Sequence, residues 1–187
     1  MEPSMKKQEN AKGVVKATAS AAKGLRELFE VGLNDIYYAE KVMTKSLPKM
    51  VENASSPELV TALKNHLAET EEHVSRLEKI FKSTGIKTVA KKSNAMEGLI
   101  KESEVTMKET ELGNVRDAGI IAAGQKVEHY EIATYGTLHA FAKTLGEDKA
   151  AQLLAMNLDE KKKTDAALTG IAMASINAQA AAPNPKW

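Results

Sequence analysis

The stretch Leu33-Asn34-Asp35-Ile36-Tyr37-Tyr38-Ala39-Glu40-Lys41-Val42-Met43-Thr44-Lys45-Ser46-Leu47 decides the fold. Its apolar residues do not alternate. Leu33, Ile36, Met43 and Leu47 recur at spacings of three and four or their sums, and Leu25, Phe29 and Val51 extend the stripe on both sides. That period belongs to an amphipathic helix with one face on a core. An acid stands in the middle of the stripe. At about 100° per residue, Phe29, Leu33, Leu47 and Val51 all lie within about 20° of Glu40.

Working outward, the same period returns three times. Pro48 lies inside the first pattern and should kink that helix or end it. Ser55-Ser56-Pro57-Glu58 is punctuation, with Ser56 as a cap and Pro57 at the first helical position. Leu59, Leu63, Leu67, Val74, Leu77 and Phe81 then mark a second helix, which stops near Gly85. Residues 86–113 read as a connection carrying a short helix with Met96, Leu99, Ile100, Ser103 and Met107, capped by Ser93 or Asn94. That length is too great for a hairpin turn and predicts a crossover. A third long helix spans about Asn114 to Leu145, with Gly146 as its stop, and a fourth begins near Glu147.

No segment alternates in strand fashion for long. The expected fold is all-α: two helical hairpins joined by a long crossover that contains a short helix, making a four-helix bundle. Residues 1–21 are expected to form a flexible N-terminal arm, 22–178 the bundle and 179–187 a flexible C-terminal tail. A weak internal repeat, His66-Leu67-Ala68-Glu69 against Asn157-Leu158-Asp159-Glu160, puts Glu69 and Glu160 in equivalent places.

Composition excludes several classes of function. The chain has 187 residues, 26 Lys plus Arg against 25 Asp plus Glu, and no cysteine. Disulfides, thiolate metal sites and iron–sulfur clusters are therefore out. The near-zero net charge gives no field for nucleic acid. No apolar run reaches the roughly 20 residues of a membrane helix, and no secretory signal follows Met1. The expectation is a cytoplasmic protein with no nucleic-acid or membrane partner. No Gly-x-Ser-x-Gly elbow or phosphate-cradling glycine loop is present.

The informative residues are acids at core positions. Glu128 aligns with Ile121, Ile132, Tyr135 and His139 on the third helix, and Glu131 lies one turn on, about 60° aside. Glu160 shares a line with Leu153, Ala167 and Ile171 on the fourth helix. On the second helix, His66, Glu69 and His73 gather on one flank at spacings that let them converge. Buried carboxylates need a partner. A metal pair bridged by Glu40, Glu128, Glu131 and Glu160 is one solution, with Glu69 and an imidazole from His66 or His73. Pairing with Lys163, Tyr37, Tyr130 or protons is the other. His129 points about 100° away from Glu128 and reads as a group supporting the site from behind or as a surface group, and His139 reads as a satisfied core histidine. The run Lys161-Lys162-Lys163 reads as a solvated face.

Leu25-Arg26-Glu27-Leu28-Phe29, Asp35-Ile36-Tyr37-Tyr38-Ala39-Glu40-Lys41, Leu47-Pro48-Lys49-Met50, Ser56-Pro57-Glu58-Leu59, His66-Leu67-Ala68-Glu69-Thr70, Ala95-Met96-Glu97-Gly98-Leu99 and Val127-Glu128-His129-Tyr130-Glu131-Ile132-Ala133 resemble the YciE/YciF family. That is a bacterial group of ferritin-like stress proteins often labelled ferroxidases. The resemblance implies a ferritin-like four-helix bundle, a homodimer and a di-iron centre. It also implies Glu40 as the first-helix ligand, and Glu69 with His66 or His73 from the second. Glu128 or Glu131 follows from the third and Glu160 from the fourth. Manganese or zinc would suit the same ligand types. One departure stands out: ferritin-like di-iron proteins carry Glu-x-x-His on two helices, and this chain has none.

Two functions follow. In the first, Fe(II) is oxidised by a small oxidant, dioxygen or peroxide, at the carboxylate centre. In the second, the chain is a non-enzymatic dimeric helical stress protein with a vacant or degenerate metal site.

Overall fold

The computed structural model describes residues 13–89 and 91–182. The first twelve residues of the expected arm, and 183–187 of the expected tail, lie outside that range. Among the described residues there are helices and no strand. They are α1 (Leu25–Asn53), α2 (Pro57–Thr84), α3 (Asn94–Glu109), α4 (Asn114–Thr144), α5 (Asp148–Ile171) and α6 (Asn177–Ala181), with a π-helical turn (Ala172–Ile176) joining α5 to α6.

α1 packs on α2 and α4, and α5 packs on α4 and α2, which closes a ring of four long helices around one core. α3 lies outside that ring, against α4 and α1, as part of the crossover. The expected bundle, with two hairpins and a helix-bearing connection, is the observed one.

Local sequence sets the ends. The Ser56 side chain accepts from Leu59 N–H at 3.3 Å, with Pro57 at the first helical position, so α2 begins where the punctuation lies. Gly85 closes α2 in the left-handed region at φ 69°, which a side chain would strain. Ser93 rather than Asn94 caps α3, accepting from Met96 N–H. α1 runs through Pro48 to Asn53 and is not ended by it.

Two buried polar side chains fix the connections. Asp117, at the start of α4, accepts from Ser55 N–H and Ser56 N–H, both at 2.8 Å, and so ties α4 to the α1–α2 turn. Asn34 of α1 accepts from Val89 N–H at 2.6 Å and holds the crossover against the bundle. Gly32 permits the α1–α4 approach, because a Cβ there would sit 2.8 Å from a Leu138 methyl.

Two helices face inward at a different rotation from the expected one. The buried line of α2 is Leu59, Leu63, His66, Thr70, His73, Leu77 and Ile80, not one centred on Leu67 and Val74. The buried line of α5 is Ala150, Ala151, Leu154, Asn157, Lys161 and Leu168. This corrects the placement of Glu160 at a stripe centre and of Lys161 on a solvated face.

Candidate functional site

The four long helices each send polar side chains to one level of the core. Glu40 comes from α1, His66, Thr70 and His73 from α2, Glu128, Glu131 and Tyr135 from α4, and Asn157 and Lys161 from α5. All of these are buried. Glu40, Glu128, Glu131 and Lys161 are each 0% exposed.

Lys161 is at the centre of this set. Its Nζ lies 2.6 Å from Glu131 Oε2, donates to Glu40 Oε2 at 3.2 Å and reaches His66 Nε2 at 3.4 Å. Glu40 has two further neighbours, one of them held in turn by Asn157. Tyr135 donates its hydroxyl to Oε1 at 2.7 Å, His73 Nδ1 stands 3.2 Å from the same oxygen, and Asn157 donates to the Tyr135 hydroxyl at 3.1 Å.

The network reaches solvent on the α2–α5 side. His73 Nε2 meets Glu160 Oε2 at 2.8 Å, and Arg76 donates to the same oxygen at 2.6 Å and to Asn157 Oδ1 at 3.0 Å. The Glu160 side chain is 27% exposed, so it closes the network at its rim. Glu69 is also at the rim, accepting from the Thr164 hydroxyl at 3.1 Å.

Of the seven expected ligands, Glu40, His66, His73, Glu128 and Glu131 therefore converge, while Glu69 and Glu160 flank them. His129 is exposed beside Asp165, and His139 is satisfied by the Ala151 carbonyl at 2.9 Å. Tyr37 and Tyr130, considered as partners for the inner acids, bond elsewhere, to Glu78 and Ser93. The sequence signals Lys161 and Asn157 only through their register with Leu154 and Leu168, and Arg76 only through its register with Ile80.

Charge follows this geometry. Burial works against ionising Glu40, but Lys161, His73 and the Tyr135 hydroxyl outweigh it and bring its carboxyl down to about 2. Burial pushes Glu128 up to about 7, with the charges of Glu40, Asp165 and Glu69 adding and Lys161 opposing. Burial, the Glu40 charge and the Glu128 charge hold Glu131 well above the usual range against Lys161. Burial opposes the Lys161 charge, yet Glu131, Glu40 and Glu128 together raise its pKa. Burial and the nearby Lys161 keep His66 neutral. The inner set thus contains one firm ion pair, Glu40 with Lys161, while burial favours the protonated forms of Glu131 and, below about pH 7, Glu128.

The His66 geometry agrees with this. Its Nε2 lies 3.4 Å from a lysine that can only donate, so it presents a lone pair there. Glu128 Oε1 stands 3.1 Å from the same nitrogen, without a directed hydrogen bond to it.

These residues do not fit a di-iron pair. Position 70, which would complete Glu-x-x-His with His73, is Thr, and Glu160 is followed three residues later by Lys163 instead of His. Thr70 cannot supply a carboxylate, and a protonated Lys163 cannot supply an imidazole lone pair. An ammonium stands among the remaining acids, at hydrogen-bond distances from Glu131 and Glu40. Among the described residues, no three His, Asp or Glu side chains form a group that could hold a metal ion.

A family model described as a domain of unknown function, DUF892, matches residues 24–181. The chain is 43% identical over 159 residues to Protein YciF of Escherichia coli strain K12, covering 84% of this chain and 96% of that protein. The crystal structure of the E. coli stress protein YciF superposes with a TM-score of 0.81 at 43% identity, covering 83% of this chain and 99% of that one. YcfI of Rhodopseudomonas palustris gives 0.77 at 42% identity, covering 82% and 98%.

Proposed function

The chain belongs to the DUF892 family, alongside the stress protein YciF, and on that premise we propose that it is a non-enzymatic helical stress protein whose inner acids are neutralised from within. The observation that carries this reading is the Lys161 ammonium lodged between Glu40 and Glu131. Buried carboxylates require a counter-cation or protons. Here a side chain supplies the first, and burial itself retains the second. The proposal includes a homodimer in the cytoplasm. Among the described residues, no helix is long and apolar enough to cross a membrane.

The test is anaerobic loading with Fe(II), removal of unbound metal, elemental analysis and exposure to dioxygen or peroxide. The expected result is far less than one iron per chain and Fe(II) oxidation no faster than in buffer. Stoichiometric iron with accelerated oxidation overturns the reading.

That outcome would favour a second reading, oxidation of Fe(II) as substrate at Glu128. Both Glu128 carboxylate oxygens are buried without a directed hydrogen bond, which leaves them free to take a cation. Glu69 and Asp165 add negative charge nearby. Manganese or zinc would compete for the same oxygen and imidazole donors.

A further inference from the structure

We infer that Lys161 is a built-in cation that excludes metal from the bundle core, and that Glu40, Glu131, Glu128 and His66 form a latent site for a divalent cation once its ammonium is removed. This rests on the reading of the core as metal-independent and goes beyond it, because it assigns one residue the choice between the two states.

The geometry supports it from three directions. Lys161 Nζ touches a carboxylate from α1, a carboxylate from α4 and an imidazole from α2, so it occupies the point where ligands from separate helices meet. A protonated lysine has no lone pair and cannot itself bind a metal. It also places a positive charge where an incoming cation would have to sit. Three carboxylates and one imidazole are a donor set that suits zinc, cobalt or ferrous ion. Cutting the side chain back to Cβ removes both the charge and the volume of three methylenes. The remaining side chains would then close from contacts of 2.6–3.4 Å to metal bonds of about 2.0–2.2 Å.

Lys161 is also held by its helix. α5 presents Leu154, Asn157, Lys161 and Leu168 along one buried line, and Lys161 is fully buried within it. Exclusion is therefore a property of the fold and not of a mobile surface group.

The experiment titrates Co(II) into the full-length wild type, Lys161→Ala and Lys161→His, and reads bound cobalt, visible ligand-field absorption and thermal midpoint. The expected result is no uptake by the wild type and about one cobalt per chain in Lys161→Ala, with a ligand-field band and a raised midpoint. Glu131→Gln added to Lys161→Ala should abolish the band. Lys161→His replaces the ammonium with a further ligand and is expected to bind as well. Should Lys161→Ala fold only with cobalt, that coupling also supports the inference. Absence of cobalt uptake by both Lys161 variants overturns it while leaving the metal-independent reading intact. Stoichiometric uptake by the wild type overturns that reading too.

Discussion

Lys161 Nζ lies 2.6 Å from Glu131 Oε2, with neither side chain exposed to solvent. The same ammonium reaches Glu40 at 3.2 Å. A ferritin-like bundle thus carries its counter-cation on its own fifth helix. The consequences are measurable in stability, because a buried charge is costly once its partner is gone.

Lys161→Met keeps an unbranched chain in the core and deletes the charge. Glu40 then remains buried, with its favourable hydrogen bonds but no cation. The expected loss is about 3–5 kcal/mol, the usual cost of stranding one member of a buried pair. Adding Glu40→Gln to Lys161→Met should restore most of it, because both charges are then absent. Urea denaturation of the two single variants, the double variant and the wild type gives the coupling. A neutral effect of Lys161→Met would show that the Lys161 charge does not stabilise the buried Glu40 carboxylate.

Much of this site was legible from helical period alone. Glu40 and Glu128 stand in apolar stripes, and the structure buries both completely. Lys161 was not legible, for a physical reason. α5 is rich in alanine, so the lines through Leu153, Ala167 and Ile171 and through Ala151, Leu154 and Leu168 are both apolar. Only packing selects the second. The three consecutive lysines then read as a solvated face, although Lys161 is seven residues from both Leu154 and Leu168 and shares their line. α2 misleads in the same way. His66, Thr70 and His73 fill core positions between Leu63 and Leu77, so weighting by apolarity turns the apparent inner face toward Leu67 and Val74. The general pattern of four helices and a crossover survives such errors, since it depends on stripe existence and connection length and not on rotation.

Glu128 gives a pH signature. Its folded carboxyl is pushed up to about 7 from the ordinary 4.5, chiefly by burial. A raised folded pKa means that the folded state holds its proton more tightly than the unfolded chain. Its contribution to stability is therefore complete below the unfolded value and is lost as pH rises through about 7. Glu128→Gln keeps the shape and cannot titrate. Relative to this variant, the wild type should lose about 1–3 kcal/mol between pH 4.5 and pH 8. Urea midpoints measured at several pH values give the difference. Parallel curves for the two proteins would show that Glu128 does not bind a proton on folding.

Asp117 tests the frame that positions the network. Its carboxylate is fully buried and accepts from the backbone N–H groups of Ser55 and Ser56, both at 2.8 Å. These donors belong to the turn between α1 and α2, so one side chain of α4 sets the spacing of the helices that carry Glu40 and His66. Asp117→Ala strands both donors and should cost about 2–4 kcal/mol, since each is a charge-assisted bond lost without replacement. Asp117→Asn retains one carbonyl oxygen and should cost less. Its amide nitrogen is a donor facing a donor, so the loss will not vanish. Thermal midpoints should therefore fall in the order wild type, Asp117→Asn, Asp117→Ala. An Asn variant as unstable as the Ala variant would mean that the charge, and not the pair of acceptors, holds the turn.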